Sequence, residues 1–327
     1  MGPGLSERFN ALPRRRETEL SIQFADGLLE SGDAISDTRS RQPHFDMRTP
    51  VVMHPLRHRF GDNRGMKKRA ADRIVVVCLA LFCGWTSVAD ALESRRAHLD
   101  EVDYRVVDLD LLRDQLEVHW HGADRQPFAS IEGVRQWGAA QGRQLLFATN
   151  AGIYDRQFQP LGLYIEDGAT LRPLNTSRGA PRAGNFAIQP NGVFYVDTKG
   201  RAGIVTTAHW REHAVDARLA TQSGPMLVID GAINPNFDAE SDSLKWRSGV
   251  CAKTAHRVIF AVSEAPVTFH AFARLFQREL GCRDALFLDG TLSRIYTKAD
   301  GYSGAPAIMV KPYAAMFAVF ASDTASE

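Results

Sequence analysis

Short apolar runs, few of them longer than six residues, set the rhythm of the chain after about Leu92. Tyr104-Arg105-Val106-Val107-Asp108-Leu109 and Leu116-Glu117-Val118-His119-Trp120 alternate in part, the period-2 signature of strands with one face buried. Gln144-Leu145-Leu146-Phe147-Ala148-Thr149 is nearly all apolar and reads as a strand buried on both faces, running into Asn150. Phe186–Gln189 and Val193–Val196 flank Pro190-Asn191-Gly192, which predicts a hairpin because Asn-Gly tolerates positive φ. Met226–Ile229 ends at Asp230-Gly231, a second hairpin signal. Val258–Val262, Ala285–Leu288 and Ile308–Val310 complete the predicted strands.

Helical periodicity is scarcer. Ser130 is placed to cap a helix running to about Gln141, with Gly142 as its stop. Thr268 caps a second helix, in which Phe269, Phe272, Ala273, Phe276 and Leu280 share one face and Gly281 ends the pattern. Many strands with two main helices give an α+β fold, expected as a mixed, largely antiparallel sheet with the two helices packed on it. A regular strand–helix alternation and a G-x-G-x-x-G turn are both missing from the sequence, which argues against dinucleotide binding.

The segment before Leu92 has a different character. Lys67, Lys68, Arg69 and Arg73 precede the apolar run Ile74–Phe82, and Ala89-Asp90-Ala91 follows it. A basic flank, a short apolar stretch and a small-x-small site make a secretory signal at 66–91, cleaved after Ala91. The apolar run is shorter than the ~20 residues a membrane-spanning helix needs. Residues 1–65 are Arg-rich and without sustained periodicity, so they read as disordered or as an over-extended start preceding Met66. The expected mature domain is 92–327, periplasmic or secreted, with no stable membrane span after cleavage.

Composition narrows the function by exclusion. The chain has 327 residues with a net charge of +1, so no bulk field points to nucleic acid. The four cysteines lack C-x-x-C spacing, and His119 and His121 come without a third ligand, so neither a metal nor another cofactor is expected. After signal cleavage only Cys251 and Cys282 remain, and an oxidising compartment favours pairing them over leaving two buried thiols.

The candidate chemistry sits in four polar clusters at strand ends. These are Asn150-Ala151-Gly152-Ile153-Tyr154; Gly184-Asn185-Phe186; Gln222-Ser223-Gly224-Pro225 with the downstream Arg247-Ser248-Gly249-Val250; and Leu288-Asp289-Gly290-Thr291-Leu292-Ser293-Arg294. Singly, each is the composition of a tight turn. Together and in this order, from about Leu145 to Phe320, they resemble the phosphodiester glycosidase family, with Thr291 standing where members often carry a second glycine. The resemblance implies a hydrolase that cleaves a sugar-1-phosphodiester at the anomeric carbon, acting on a small molecule or glycan. A carboxylate near that carbon and a fixed cation on the phosphate are what such a reaction needs, because the departing phosphate monoester is already a stable anion. Asp289 is the expected carboxylate and Arg247 the expected cation, with Asn150, Asn185, Ser223, Ser248 and Ser293 as substrate-binding groups. The same residues suit a phosphodiesterase cutting P–O, or a protein that only binds a phosphosugar.

Overall fold

The computed structural model describes residues 92–177, 184–290, 293–309 and 312–321. The expected signal segment and residues 1–65 lie outside these, as do Arg178 and Arg182, two loop arginines that the sequence offers as helpers in phosphate binding. The chain opens with β1 (Glu93–Leu99), β2 (Val102–Asp110) and β3 (Leu116–His119), then helix α1 (Ile131–Ala140) and β4 (Leu145–Asn150). Next come β5 (Tyr164–Glu166), β6 (Ala169–Arg172), β7 (Gly192–Asp197), β8 (Ala202–Thr206), helix α2 (Thr207–Glu212) and β9 (Ala217–Ser223). After these run β10 (Met226–Ile229), β11 (Ala232–Ile233), β12 (Ser248–Thr254), β13 (Arg257–Ser263) and helix α3 (Phe269–Arg274). The last strands are β14 (Ala285–Asp289), β15 (Arg294–Thr297), β16 (Gly301–Gly304) and β17 (Met316–Phe320).

These strands form three sheets, ordered β1-β2-β13-β12-β14-β10-β11, β16-β15-β4-β17-β3 and β6-β5-β9-β7-β8. Every pairing among the described strands is antiparallel. The largely antiparallel α+β character expected is thus seen, and the single sheet carrying two main helices is corrected: three antiparallel sheets dominate and the described helices are short. Consecutive strands such as β1–β2, β7–β8, β10–β11, β12–β13 and β15–β16 pair directly through short turns. The remaining pairings join strands distant in sequence, all without a parallel crossover that would call for a helix. At one such turn Asp230 (φ 48°) and Gly231 (φ 82°) join β10 to β11, as the Asp-Gly signal predicts.

Helix α1 begins as expected, with the Ser130 hydroxyl accepting from the Gly133 N–H. The second helix departs from expectation: capped by Thr268, it is α-helical only to Arg274 and widens into a π-turn over Leu275–Glu279. Its apolar face packs into the main core through Phe269, Phe272 and Phe276. Two predicted strands are absent. Gly184–Ala187 is a 3-10 turn, and Gly192, expected in a hairpin loop, starts β7 and pairs with both β8 and β9. Around Ile308 the chain forms another 3-10 turn between Pro306 and Pro312, with Ile308 almost fully exposed. The prolines supply no N–H to a ladder, and the strand lies beyond them, in β17.

Cys251 and Cys282 form a disulfide with a sequence separation of 31. It ties β12 to the segment leading into β14, where Cys251 faces Ala285 in register. Closing a loop of that size contributes about 3–4 kcal/mol in the chain-entropy account.

Among the described residues no group of three or more His, Cys, Asp or Glu is placed to hold a metal ion. His119 is buried between carboxylates from two sheets, with Nε2 2.8 Å from Glu117 and Nδ1 3.6 Å from Glu166. Arg143 pairs with Glu117, the Tyr164 hydroxyl donates to Glu166 at 2.9 Å, and the rings of Phe128, Trp137 and Phe320 surround the imidazole. Burial opposes the charge on His119, but the hydrogen bonds its ring donates to Glu117 and Glu166 prevail and raise its pKa to about 8. A histidine whose folded pKa lies above its unfolded value of 6.5 adds stability that is complete below pH 6.5 and lost as pH rises through 8. Melting curves between pH 6 and 9 should show a loss on the order of 2 kcal/mol. His119→Gln should flatten that slope; an unchanged slope would mean that the histidine is not the titrating group.

Candidate active site

Asp289 ends β14, the fifth strand of the largest sheet, and its position depends on a slip in the ladder. Ser248 of β12 faces Asp289, while the next residue, Gly249, faces Phe287. Leu288 is thus the extra residue of a β-bulge, a feature that bends a strand and re-aims the side chain beside it. The Leu288 carbonyl accepts from the Ser223 hydroxyl at 3.1 Å, across from the end of β9 in a different sheet. Beyond the bulge the chain turns sharply. The Gly290 N–H donates to Asp289 Oδ1 at 2.6 Å, and the Ser293 hydroxyl reaches the carbonyls of Asp289 (2.7 Å) and Gly290 (2.6 Å).

The third sheet enters through Asn150 at the end of β4. Its Oδ1 accepts from the Ser248 hydroxyl at 3.0 Å, so Asn150 sits one residue contact from the strand position opposite Asp289. The Asn150 Nδ2 is buried without a hydrogen-bond partner. Such an orphaned donor costs about 1–3 kcal/mol. Gly152 follows at φ 133°, and a Cβ there would come 3.1 Å from the Thr221 hydroxyl, so only glycine lets this loop lie against β9.

Asp289 is only partly shielded from solvent, yet burial pushes its carboxyl from 3.8 up to about 6, opposed only by the Gly290 N–H. Its charge is felt by two tyrosines. Burial first, and then the Asp289 carboxylate, raise the Tyr154 and Tyr313 phenols well above the usual tyrosine range. Neither tyrosine stands out as a site residue in the sequence, although Tyr154 closes the Asn150 motif. An aromatic directly after a strand-end polar cluster is the signal that marks it.

Of the expected site residues, the fold brings Asn150, Ser223, Ser248 and Ser293 to the end of β14. Their hydroxyl and amide oxygens are engaged in holding that strand end. Arg247 is placed differently. It is fully buried, its Nε donates to the Val267 carbonyl at 2.8 Å and its Nη2 to the Ser243 carbonyl at 3.1 Å. Its guanidinium lies 3.6 Å from the centre of the Phe269 ring and 5.7 Å from that of Phe287. These contacts fix it beside the strand that ends in Asp289. The backbone of Asn185 lies in the 184–187 turn, and its side chain is outside the described residues. Gln222, in the same motif as Ser223, is spent on structure: its amide binds Leu163, Asn175 and Thr207. A surface depression lies elsewhere among the described residues, lined by Arg135, Arg143, Gln144, Tyr296 and Lys298. Its charged groups are largely neutralised, Arg135 by Glu132 and Arg143 by Glu117, so the site is argued from the Asp289 constellation. A narrow depression lined by Gly152, Ile153, Thr221 and Ala315 runs along the Asn150 loop.

Comparison with known proteins covers the stretch of chain that carries this geometry. The phosphodiester glycosidase family matches residues 143–314, a span of 172 out of 327 that contains Asn150, Ser223, Arg247, Ser248, Asp289 and Ser293. The chain belongs to that family. YigE of Escherichia coli (strain K12) is 35% identical over 185 residues, 57% of this chain and 70% of YigE. Among solved structures, the chain is similar to the catalytic domain of zebrafish N-acetylglucosamine-1-phosphodiester alpha-N-acetylglucosaminidase, auto-inhibited by its pro-peptide. That likeness has a TM-score of 0.49 and 15% identity, over 71% of this chain and 84% of the other. A hypothetical protein from Synechocystis is similar with a TM-score of 0.44 and 13% identity, over 71% of this chain and 62% of the other. Family membership agrees with the resemblance read from the strand-end motifs.

A desolvated carboxylate carries a signature in stability. Asp289 has a folded pKa above its unfolded 3.8, so ionisation works against the fold as pH rises from 3.8 through about 6. Asp289→Asn removes that penalty. The variant should melt above the wild type at pH 7, and the difference should shrink towards pH 4. Equal melting temperatures across that range would show that Asp289 is an ordinary solvated turn residue.

Proposed function

We propose that the protein hydrolyses a glycosyl phosphodiester at the anomeric carbon, with Asp289 as the reacting carboxylate. The observation that carries this reading is the placement of Asp289. It is a partly desolvated carboxyl at a bulged strand end, where β4, β9, β12 and β14 converge from three sheets. At neutral pH the group is mostly ionised, and its surroundings leave it poorly solvated and so reactive towards a developing oxocarbenium carbon. It acts either as nucleophile, forming a glycosyl ester, or as base for water. In both cases the C1–O bond breaks and its electron pair leaves with the phosphate monoester.

Arg247 is the proposed cation on the phosphate side. Stacking on Phe269 and two bonds to backbone carbonyls hold its plane fixed, the preorganisation a phosphate clamp requires. Ser223, Ser248 and Ser293 act in this proposal as positioning residues, because their hydroxyls hold the β14 end and Asn150 rather than projecting as free donors. The setting we infer is the periplasm or the exterior. The Cys251–Cys282 bridge supports it, since such bonds persist in oxidising compartments, and no helix among the described residues is long and apolar enough to cross a membrane.

Hydrolysis in ¹⁸O-water tests the bond cleaved. Label in the sugar is the expected result, and label in the phosphate would mean P–O cleavage. Asp289→Asn should lower turnover by ~10³-fold or more, since Asn neither attacks carbon nor takes a proton. Wild-type kcat/KM should fall about tenfold per pH unit below about 6 and level off above it, because the ionised carboxylate is the active form. Near wild-type turnover by Asp289→Asn would exclude the assignment.

Arg247→Lys keeps the charge and loses the planar fork. A phosphate clamp should answer with a KM raised roughly tenfold while folding survives. An unchanged KM with a large drop in melting temperature would make Arg247 a structural tie only.

A further inference from the structure

The loop after Asn150 is built more rigidly than a connection requires. Leu161 N–H bonds the Ile153 carbonyl, Tyr154 pairs with Pro160, and Asp155 N–H bonds the Gln159 carbonyl. Inside that frame the Asp155 carboxylate accepts from the N–H groups of Gln157 and Gln159, both at 2.9 Å. Phe158 is held at φ 56°, and its carbonyl accepts from the Trp120 indole at 2.9 Å. The product of this framework is a pair of rings. Tyr154 and Phe158 stack with centroids 5.8 Å apart and planes at 24°. Tyr154 is half-buried, and its hydroxyl is committed to the Pro312 carbonyl at 2.6 Å.

This pair stands beside the candidate site. Ala151 N–H bonds the Ala315 carbonyl, so residues 150–154 run along 312–316, and Asn150 at the start of that run holds Ser248, which faces Asp289. The response of the Tyr154 phenol to the Asp289 charge agrees with that proximity.

We propose that Tyr154, backed by Phe158, is a platform for the apolar face of a pyranose ring, presenting the ring's anomeric carbon to Asp289. Three features fit a sugar ring. The ring of Tyr154, partly exposed and backed by Phe158, has the size and rigidity to cover one side of a pyranose at little entropic cost. Its hydroxyl is already bonded to backbone, so the face, not the polar tip, is what the residue offers. The carboxylate beside it and the buried Asn150 amide are polar groups of the kind that engage sugar hydroxyls. The inference rests on the reading above for the role of Asp289, but it concerns binding and needs no turnover.

The test is a titration of the full-length protein with a panel of free hexoses and N-acetylhexosamines, followed by calorimetry and by tyrosine and tryptophan fluorescence. At least one sugar should bind saturably, and Tyr154→Ala should weaken it about tenfold, with Tyr154→Phe weakening it less because the ring remains. Tyr154→Leu fills the space with an aliphatic chain and should weaken binding as Tyr154→Ala does, which covers a folding failure of the alanine variant. Saturable binding by no sugar in the panel, or equal binding by Tyr154→Leu and wild type, would overturn the platform. Hydrolysis assays report separately: sugar binding that depends on Tyr154 in a protein that cleaves no glycosyl phosphodiester would leave the platform standing and remove the proposed reaction.

Discussion

The bulge at Leu288 is the constraint on which the site depends. A regular β12–β14 ladder would continue in step, and the side chains at the end of β14 would follow its pleat. Because Leu288 is left over between the Phe287–Gly249 and Asp289–Ser248 pairs, the strand end bends. The bulged carbonyl then needs a partner from outside its own sheet. Ser223 supplies it from β9, and Ser248, opposite Asp289, takes up Asn150 from β4. One irregularity thus recruits two other sheets to the same place, and their strand ends are tied to the end of β14 and to its partner strand by short polar side chains.

Those ties have an energetic side. Asp289 is held where its charged form is poorly solvated, and Asn150 keeps a buried donor unpaired. Both are costs that a fold selected for stability alone would remove. The surroundings carry them: a continuous apolar core under β12, β13 and β14, the Cys251–Cys282 bridge at the start of that hairpin system, and Arg247 stacked on Phe269. Stabilisation is thus concentrated on the strands that hold the poorly solvated carboxyl and the unpaired amide.

Much of this was legible in the residues, and the illegible part has physical causes. β4, β13 and β14 are buried on both faces, so their apolar runs stand out. The caps at Ser130 and Thr268 and the Asp230-Gly231 turn follow local rules and appear where local rules put them. β9 escaped notice because Thr221, Gln222 and Ser223 are buried polar residues, satisfied by groups distant in sequence. The apolar residues around Phe186 and Ile308 read as strands, but turns bounded by proline leave them no ladder to join. The strand-end motifs identified the family and most of the constellation. The bulge did not show, because it is a relation between two strands and not a property of either. Tyr154 was passed over for the same reason: its significance lies in what the Asp155 loop and the Asp289 strand place around it.

The central claim is that the bulged end of β14 presents Asp289 to the anomeric carbon of a glycosyl phosphodiester. A crystal structure of the Asp289→Asn protein holding an intact glycosyl phosphodiester tests it most directly. The account predicts the anomeric carbon within about 3.5 Å of the residue 289 side chain, the distance of a near-attack arrangement. A substrate bound with its anomeric carbon remote from that side chain, or with only the phosphorus within reach, would contradict it.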